Sequence, residues 1–117
     1  MSFFQPAHPV YLVGPTSYLP ERVMTNQAVL EWMGVEVRPS WLSHRTGIQE
    51  RRWVEESQAC SDLALAAARR LFEQHGLERQ RITQLVLATV SGDFPSPPTS
   101  PLLLPGLGLE AIGVLDL

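Results

Sequence analysis

The segment ITQLVLATV, residues 82–90, passes into an apolar run from Leu85 to Val90. A strand written this way has no polar face, and such strands are buried on both sides, as in parallel sheets. Parallel neighbours cannot be joined by a tight turn; they need a crossover, usually a helix packed on the sheet. The chain supplies a helix for that purpose just upstream. Cys60, Leu63, Ala64, Ala67 and Leu71 recur at spacings of three and four, which puts them on one helical face. Gly76 stands where a terminating glycine belongs, and His75 in the last turn suits the negative end of the helix dipole. The helix is expected to run from about Ser57 or Ser61 to His75. Alanines at 64, 66, 67 and 68 permit close approach on more than one side, which suits a buried helix.

The remaining elements follow from punctuation. VYLVG (10–14) reads as a short buried strand ended by Gly14 and Pro15, and PTSYLPERVMTN as a loop with two prolines. Thr25 or Asn26 can cap a short helix over QAVLEWMG, which Gly34 ends in the left-handed conformation. Pro39-Ser40 opens a second short helix, WLSHRT, stopped by Gly47. After the apolar strand come a proline-rich loop, SGDFPSPPTSP, a short helix in LLLPGLG, and a third strand in EAIGVLDL. The β-α-β-α-β order predicts an α/β fold with a parallel sheet and right-handed crossovers. No helix follows to cover the last strand, so residues 1–117 are expected to be one piece of a larger assembly.

Composition removes several classes of function. All nine basic residues are arginine, and the formal charge of −3 provides no overall basic field for nucleic acid. A single cysteine, Cys60, rules out an internal disulfide and a multi-cysteine zinc site. His8, His44 and His75 show no ligand spacing, so no metal is assigned. The opening MSFFQPAHPVYLV lacks a basic, then long apolar, leader pattern, and no run approaches a membrane span; the cytoplasm is the expected compartment. Gly106-Leu107-Gly108 precedes a strand rather than following one, so it is no dinucleotide fingerprint. Cys60 lies on the apolar stripe of the long helix with no histidine near it in sequence, and reads as a structural thiol.

Five blocks carry a family likeness: SYLPERVMTN, WLSHRTGIQERRW, SDLALAAARRLFEQHGL, LVLATVSGDFPSPPTS and LGLEAIGVLDL. In order and spacing they resemble the N-terminal part of β-ketoacyl-acyl-carrier-protein synthase III, over about residues 10–117. The W-x-x-x-R-T-G-I-x-x-R-R and Y-L-P-x-x-x-x-T-N blocks are specific in combination. The resemblance implies a thiolase-like fold, in which two five-stranded α/β halves sandwich a buried helix, with this chain the N-terminal part of the first half. It also implies a dimer that moves an acyl group from acyl-CoA to a cysteine. That group is then condensed with malonyl-acyl-carrier protein, with loss of CO₂, and acyl-CoA enters as a substrate rather than a cofactor. The family's cysteine lies just beyond the strand matching VLDL, and its His and Asn lie further on. Residues 1–117 therefore hold none of the catalytic groups, and the chain alone is expected to be inactive.

Three residues are assigned roles through that resemblance. Trp41 and Arg45 share a helical face four residues apart and match the pair lining the mouth of the family's CoA tunnel. A flat π-face and a permanently charged fork suit a nucleotide handle; the competing reading is a buried tryptophan beside a surface arginine. Ser96 matches the residue that reaches across the dimer to cap the partner's acyl pocket, and its small size implies tolerance of chains longer than acetyl. The competing reading makes it a turn residue. Pro101 fits the first turn of the helix that follows, whereas Pro105 is expected to break it. Arg51 and Arg52 either attract the acidic carrier protein or pair with Glu50, Glu55 or Glu56. Two functions are thus in view: a segment of the condensing enzyme supplying CoA contacts and dimer surface, or a non-catalytic subunit pairing with a complete homologue. An unrelated small α/β protein fits the motif order poorly.

Overall fold

Glycines 34, 47 and 76 end their helices with positive φ, at 66°, 71° and 58°, as their positions in the sequence predict. The computed structural model describes residues 11–117. Its elements run β1 (Arg22–Thr25), α1 (Asn26–Met33), α2 (Pro39–Thr46), β2 (Glu50–Trp53), α3 (Cys60–His75), β3 (Gln84–Leu87), α4 (Ser100–Leu107) and β4 (Gly113–Asp116), with a single 3₁₀ turn at Arg79–Arg81.

Each helix start has an identifiable cause. Thr25 Oγ1 accepts the Ala28 N–H at 3.2 Å and caps α1. Two carboxylates hold the start of α3: Asp62 accepts from Ala59 N at 2.9 Å, and Asp93, from a distant loop, accepts from Ser61 N at 2.9 Å. Both also sit favourably at the positive end of the helix dipole. Helix α4 begins with Pro101 in its first turn and continues through Pro105, contrary to the expected break. In so short a helix Pro105 forfeits one intrahelical bond, to the Pro101 carbonyl. Leu109 N–H closes on Leu104 O at 3.0 Å, and Arg69 and Arg79 donate to Gly106 O and Leu107 O, at 3.0 and 2.8 Å, so the far end of the helix is held.

Two separate two-stranded sheets form among the described residues. β3 and β4 pair in parallel, with Leu85 opposite Val114 and Leu87 opposite Asp116. β1 and β2 pair antiparallel, with Arg22 opposite Trp53 and Thr25 opposite Glu50; neither strand was expected from its sequence. The expected first strand is absent: Tyr11–Gly14 carry no strand, and Val10 lies outside the described residues. Tyr11 and Leu12 stand largely exposed, with no strand beside them to take up their backbone groups.

The core lies between α3, α4 and one face of the parallel pair. Leu103, Leu107 and Leu109 are buried there, packed on by Ala64, Leu65, Ala68, Phe72, Leu85 and Leu87. Gly106 permits the close approach of α4 to α3, since a Cβ there would lie 2.7 Å from Leu65 Cδ2. The two-sided burial expected for the 85–90 run is not met: Val86 and Leu115 point away from the core and are 52% and 46% exposed. One layer of helix covers only one face of the pair. For the same reason no residue of α3 is fully buried, although Leu63 to Ala68 are half-buried throughout. The accessible surface is 9456 Å², against about 6,300 Å² for a compact monomer of this mass. The radius of gyration is 19.0 Å, where about 13 Å describes a compact chain of this length.

Candidate functional site

Asn26 is the residue on which α2 is hung. It is buried, its Nδ2 donates to Ser43 Oγ at 3.0 Å and to Ile48 O at 2.8 Å, and its backbone N–H reaches Gln49 O at 3.2 Å. Arg51 Nη2 completes the cluster by donating to Asn26 Oδ1 at 2.7 Å. One amide side chain thus ties the start of α1 to the body of α2, the turn after it and β2. Thr46 closes the turn itself, donating to Leu42 O at 2.7 Å and accepting from Ile48 N at 3.1 Å. The sequence offered Asn26 only as a possible helix cap; the missed signal is the amide side chain directly after the Thr25 cap, at a first-turn position that favours an acid.

This frame holds Trp41 and Arg45 on one face of α2, as their four-residue spacing predicted. The Arg45 guanidinium lies over the Trp41 ring, 5.6 Å from its centroid, within the range of a cation–π contact. Among the described residues Trp41 is half in the open, at 52% exposure. Beside the indole lies a groove of about 530 Å³, lined by Glu36, Val37, Arg38, Ser40, Trp41 and His44. Arg45 is not among the lining residues. Arg38 and His44, which are, stand three residues before and after Trp41, a spacing that placed them on its side of the helix. His44 Nδ1 lies 2.6 Å from Ser40 O. A carbonyl can only accept, so Nδ1 carries the proton and Nε2 of the neutral ring is left as an acceptor.

Neither Arg51 nor Arg52 pairs with Glu50, Glu55 or Glu56. Arg51 donates to Met24 O and Asn26, and Arg52 to Pro20 O and Glu21 O at 3.2 Å each, so both guanidinium groups tie β2 to the chain beside it. Cys60 is half-buried with its Sγ 3.5 Å from Thr89 Oγ1, in keeping with a structural thiol.

Ser96 lies elsewhere, exposed in the loop between β3 and α4, and does not line the Trp41 groove. The loop around it is pinned at both ends. Asp93 N–H donates to Thr99 Oγ1 at 3.0 Å while its carboxylate caps α3, and Asp116 accepts from Thr99 N at 2.6 Å and Ser100 N at 3.0 Å. The Asp116 carboxyl is held below the usual carboxylate value by the neighbouring Ser100 hydroxyl first and by those two N–H groups, against an opposing desolvation effect. The Ser100 hydroxyl is fully buried and meets no partner at full hydrogen-bond geometry, so its contact with the carboxylate is a close approach rather than a well-formed bond.

No family model matches the chain. Curated relatives do. It is 35% identical over 105 residues to the acetoacetyl CoA synthase NphT7 of Streptomyces sp. (strain CL190), covering 90% of this chain and 31% of that protein. It is 40% identical over 109 residues to a β-ketoacyl-[acyl-carrier-protein] synthase III of Symbiobacterium thermophilum, covering 93% and 32%. Among solved structures, the priming β-ketosynthase of the R1128 polyketide pathway superposes with a TM-score of 0.79 at 30% identity, over 96% of this chain and 35% of that one. The 3-oxoacyl-(acyl carrier protein) synthase III of Pseudomonas aeruginosa PAO1 gives 0.72 at 36% identity, over 89% and 30%. The chain spans about a third of the length of the curated relatives it matches.

Proposed function

Because the chain belongs to the β-ketoacyl-acyl-carrier-protein synthase III family of thiolase-like enzymes, we propose that it forms the acyl-CoA entrance of such a condensing enzyme. In that reading residues 1–117 are the N-terminal part of the first thiolase-like half. The nucleophile and its partners belong to the remaining two thirds of the fold, and the chain by itself carries no catalytic group. The assembled enzyme moves the acyl group of acyl-CoA onto a cysteine, releasing free CoA. The acyl thioester then takes up the carbanion formed as malonyl-carrier protein loses CO₂, which frees the thiol. The enzyme works as a dimer in the cytoplasm, with acyl-carrier protein as its second partner.

The observation that carries this reading is the exposed Trp41 indole with the Arg45 guanidinium 5.6 Å from its centroid, beside an open groove. An aromatic face left half in solvent costs hydration that a stacked purine would recover, and a fixed cation beside it complements the nucleotide's charge. No titratable group in the groove has the buried, paired environment of a nucleophile or general base, so its chemistry is binding. Ser96 contributes to the acyl pocket of the partner subunit, and its small side chain leaves room for chains longer than acetyl.

The test is the apparent KM for acyl-CoA in the polypeptide that contains this segment. Trp41→Ala and Arg45→Ala are expected to raise it while leaving the carrier-protein KM alone; an unchanged value in both variants would remove the assignment.

A further inference from the structure

Among the described residues, six of the nine arginines have partners for their guanidinium groups. Arg51, Arg52, Arg69, Arg70 and Arg79 spend their guanidinium groups on backbone or side-chain oxygens, and Arg45 lies over Trp41. The Arg38 guanidinium, like those of Arg22 and Arg81, donates to no described residue, and of these three Arg38 lines the groove in which the Trp41 indole stands. It is the only permanent cation on that lining. The other polar groups there are the Ser40 hydroxyl, which can donate or accept, and two acceptors: the Glu36 carboxylate and, when the ring is neutral, His44 Nε2, whose ring is turned by the Nδ1 contact to Ser40 O.

An indole, one fixed cation and two acceptors describe a ligand with matching parts. A plain anion would use Arg38 but would be repelled by Glu36. A neutral base would stack on Trp41 but leave Arg38 idle. A purine nucleotide uses all of them, with its ring on the indole, its exocyclic amine or ribose hydroxyls donating to Glu36 and His44, and a phosphate on the guanidinium fork. We propose that Arg38 reads the 3′-phosphate of CoA in the Trp41 groove, and so separates CoA from its dephosphorylated form and from the phosphopantetheine arm of a carrier protein. This rests on the acyl-CoA reading above.

Two ligands and two variants separate the failures. Dissociation constants for CoA and 3′-dephospho-CoA are measured calorimetrically on the polypeptide containing this segment. The unsubstituted protein is expected to prefer CoA by about tenfold, the size of one charge-assisted phosphate contact. Arg38→Ala is expected to lower that preference to near one by weakening CoA alone, and Arg38→Lys to restore part of it. Trp41→Ala is expected to weaken both ligands equally and leave the preference intact. If Trp41→Ala weakens both while Arg38→Ala leaves the preference unchanged, the phosphate assignment is overturned and the acyl-CoA reading stands. If Trp41→Ala weakens neither, both fall. Arg38 is exposed, so its loss leaves the core untouched.

Discussion

Asp116, the last residue of β4, grips the start of α4 by accepting the Ser100 N–H at 3.0 Å, while its other oxygen takes the Thr99 N–H at 2.6 Å. One carboxylate therefore fastens the end of a strand to the end of the loop that carries Ser96. Because its pKa is lowered from 3.8 in the folded chain, the charged form is the one the fold favours. Stability from Asp116 is then present above the unfolded value and is lost as pH falls through the lower, folded one. Thermal unfolding followed across pH 2.5 to 6 on the polypeptide containing this segment is expected to show that loss. Asp116→Asn is expected to unfold at a lower temperature near neutrality and to have a flatter acid limb; an acid limb as steep as that of the unsubstituted protein would show that the depression of this carboxyl does not contribute.

The contact between α3 and α4 depends on a missing side chain. A Cβ on Gly106 would stand 2.7 Å from Leu65 Cδ2 and 3.0 Å from its Cδ1. Gly106→Ala is expected to cost about 1–3 kcal/mol by overpacking, even after the helix-propensity gain of alanine. Adding Leu65→Ala should make the pair less destabilising than the sum of the singles. Additive denaturation midpoints would show that the two side chains do not meet.

Arg51 separates a structural from a docking role. It donates to Met24 O and to Asn26 Oδ1, and the Asn26 amide in turn holds Ser43 and Ile48. Arg51→Ala and Asn26→Ala are each expected to destabilise the protein by about 1–3 kcal/mol, because buried polar partners are left unpaired. Both should also weaken CoA binding, since α2 loses its anchor. Unchanged stability with a raised KM for carrier protein would return Arg51 to the docking role.

Much of this architecture was legible in the sequence where a local cause sufficed. Thr25, Gly34, Pro39, Gly47 and Gly76 each act within one turn of themselves, and all stand where the sequence places them. The α/β, thiolase-like reading also holds against the solved structures. What failed was non-local. RVMT and ERRW pair although all of residues 26–49 lie between them in sequence. Neither four-residue strand carries enough alternation to be read alone. Pro105 was overruled by bonds from Arg69 and Arg79, whose reach depends on how α3 lies on α4. In the site, the Trp41–Arg45 pair was visible as a spacing, whereas Arg38 and Asn26 are set apart only by what they touch or leave untouched.

Ser96 offers a test of pocket depth. Ser96→Phe is expected to lower kcat/KM for long-chain acyl-CoA about tenfold or more while sparing acetyl-CoA, since a benzyl group fills space that a hydroxymethyl leaves open. Equal activity toward both chain lengths in serine and phenylalanine forms would place this loop away from the acyl pocket.

The central claim is that the half-exposed indole of Trp41 is a binding surface for the CoA nucleotide. The most direct measurement is the dissociation constant for CoA in Trp41→Ala beside a control, Trp32→Ala, which removes a 69%-exposed indole that packs edge-on against Trp53 outside the groove. Loss of a stacking partner is worth about 1–3 kcal/mol per base. The account predicts CoA binding weakened about tenfold or more by Trp41→Ala and unaffected by Trp32→Ala. Equal affinity in the Trp41→Ala protein and the unsubstituted protein would contradict it.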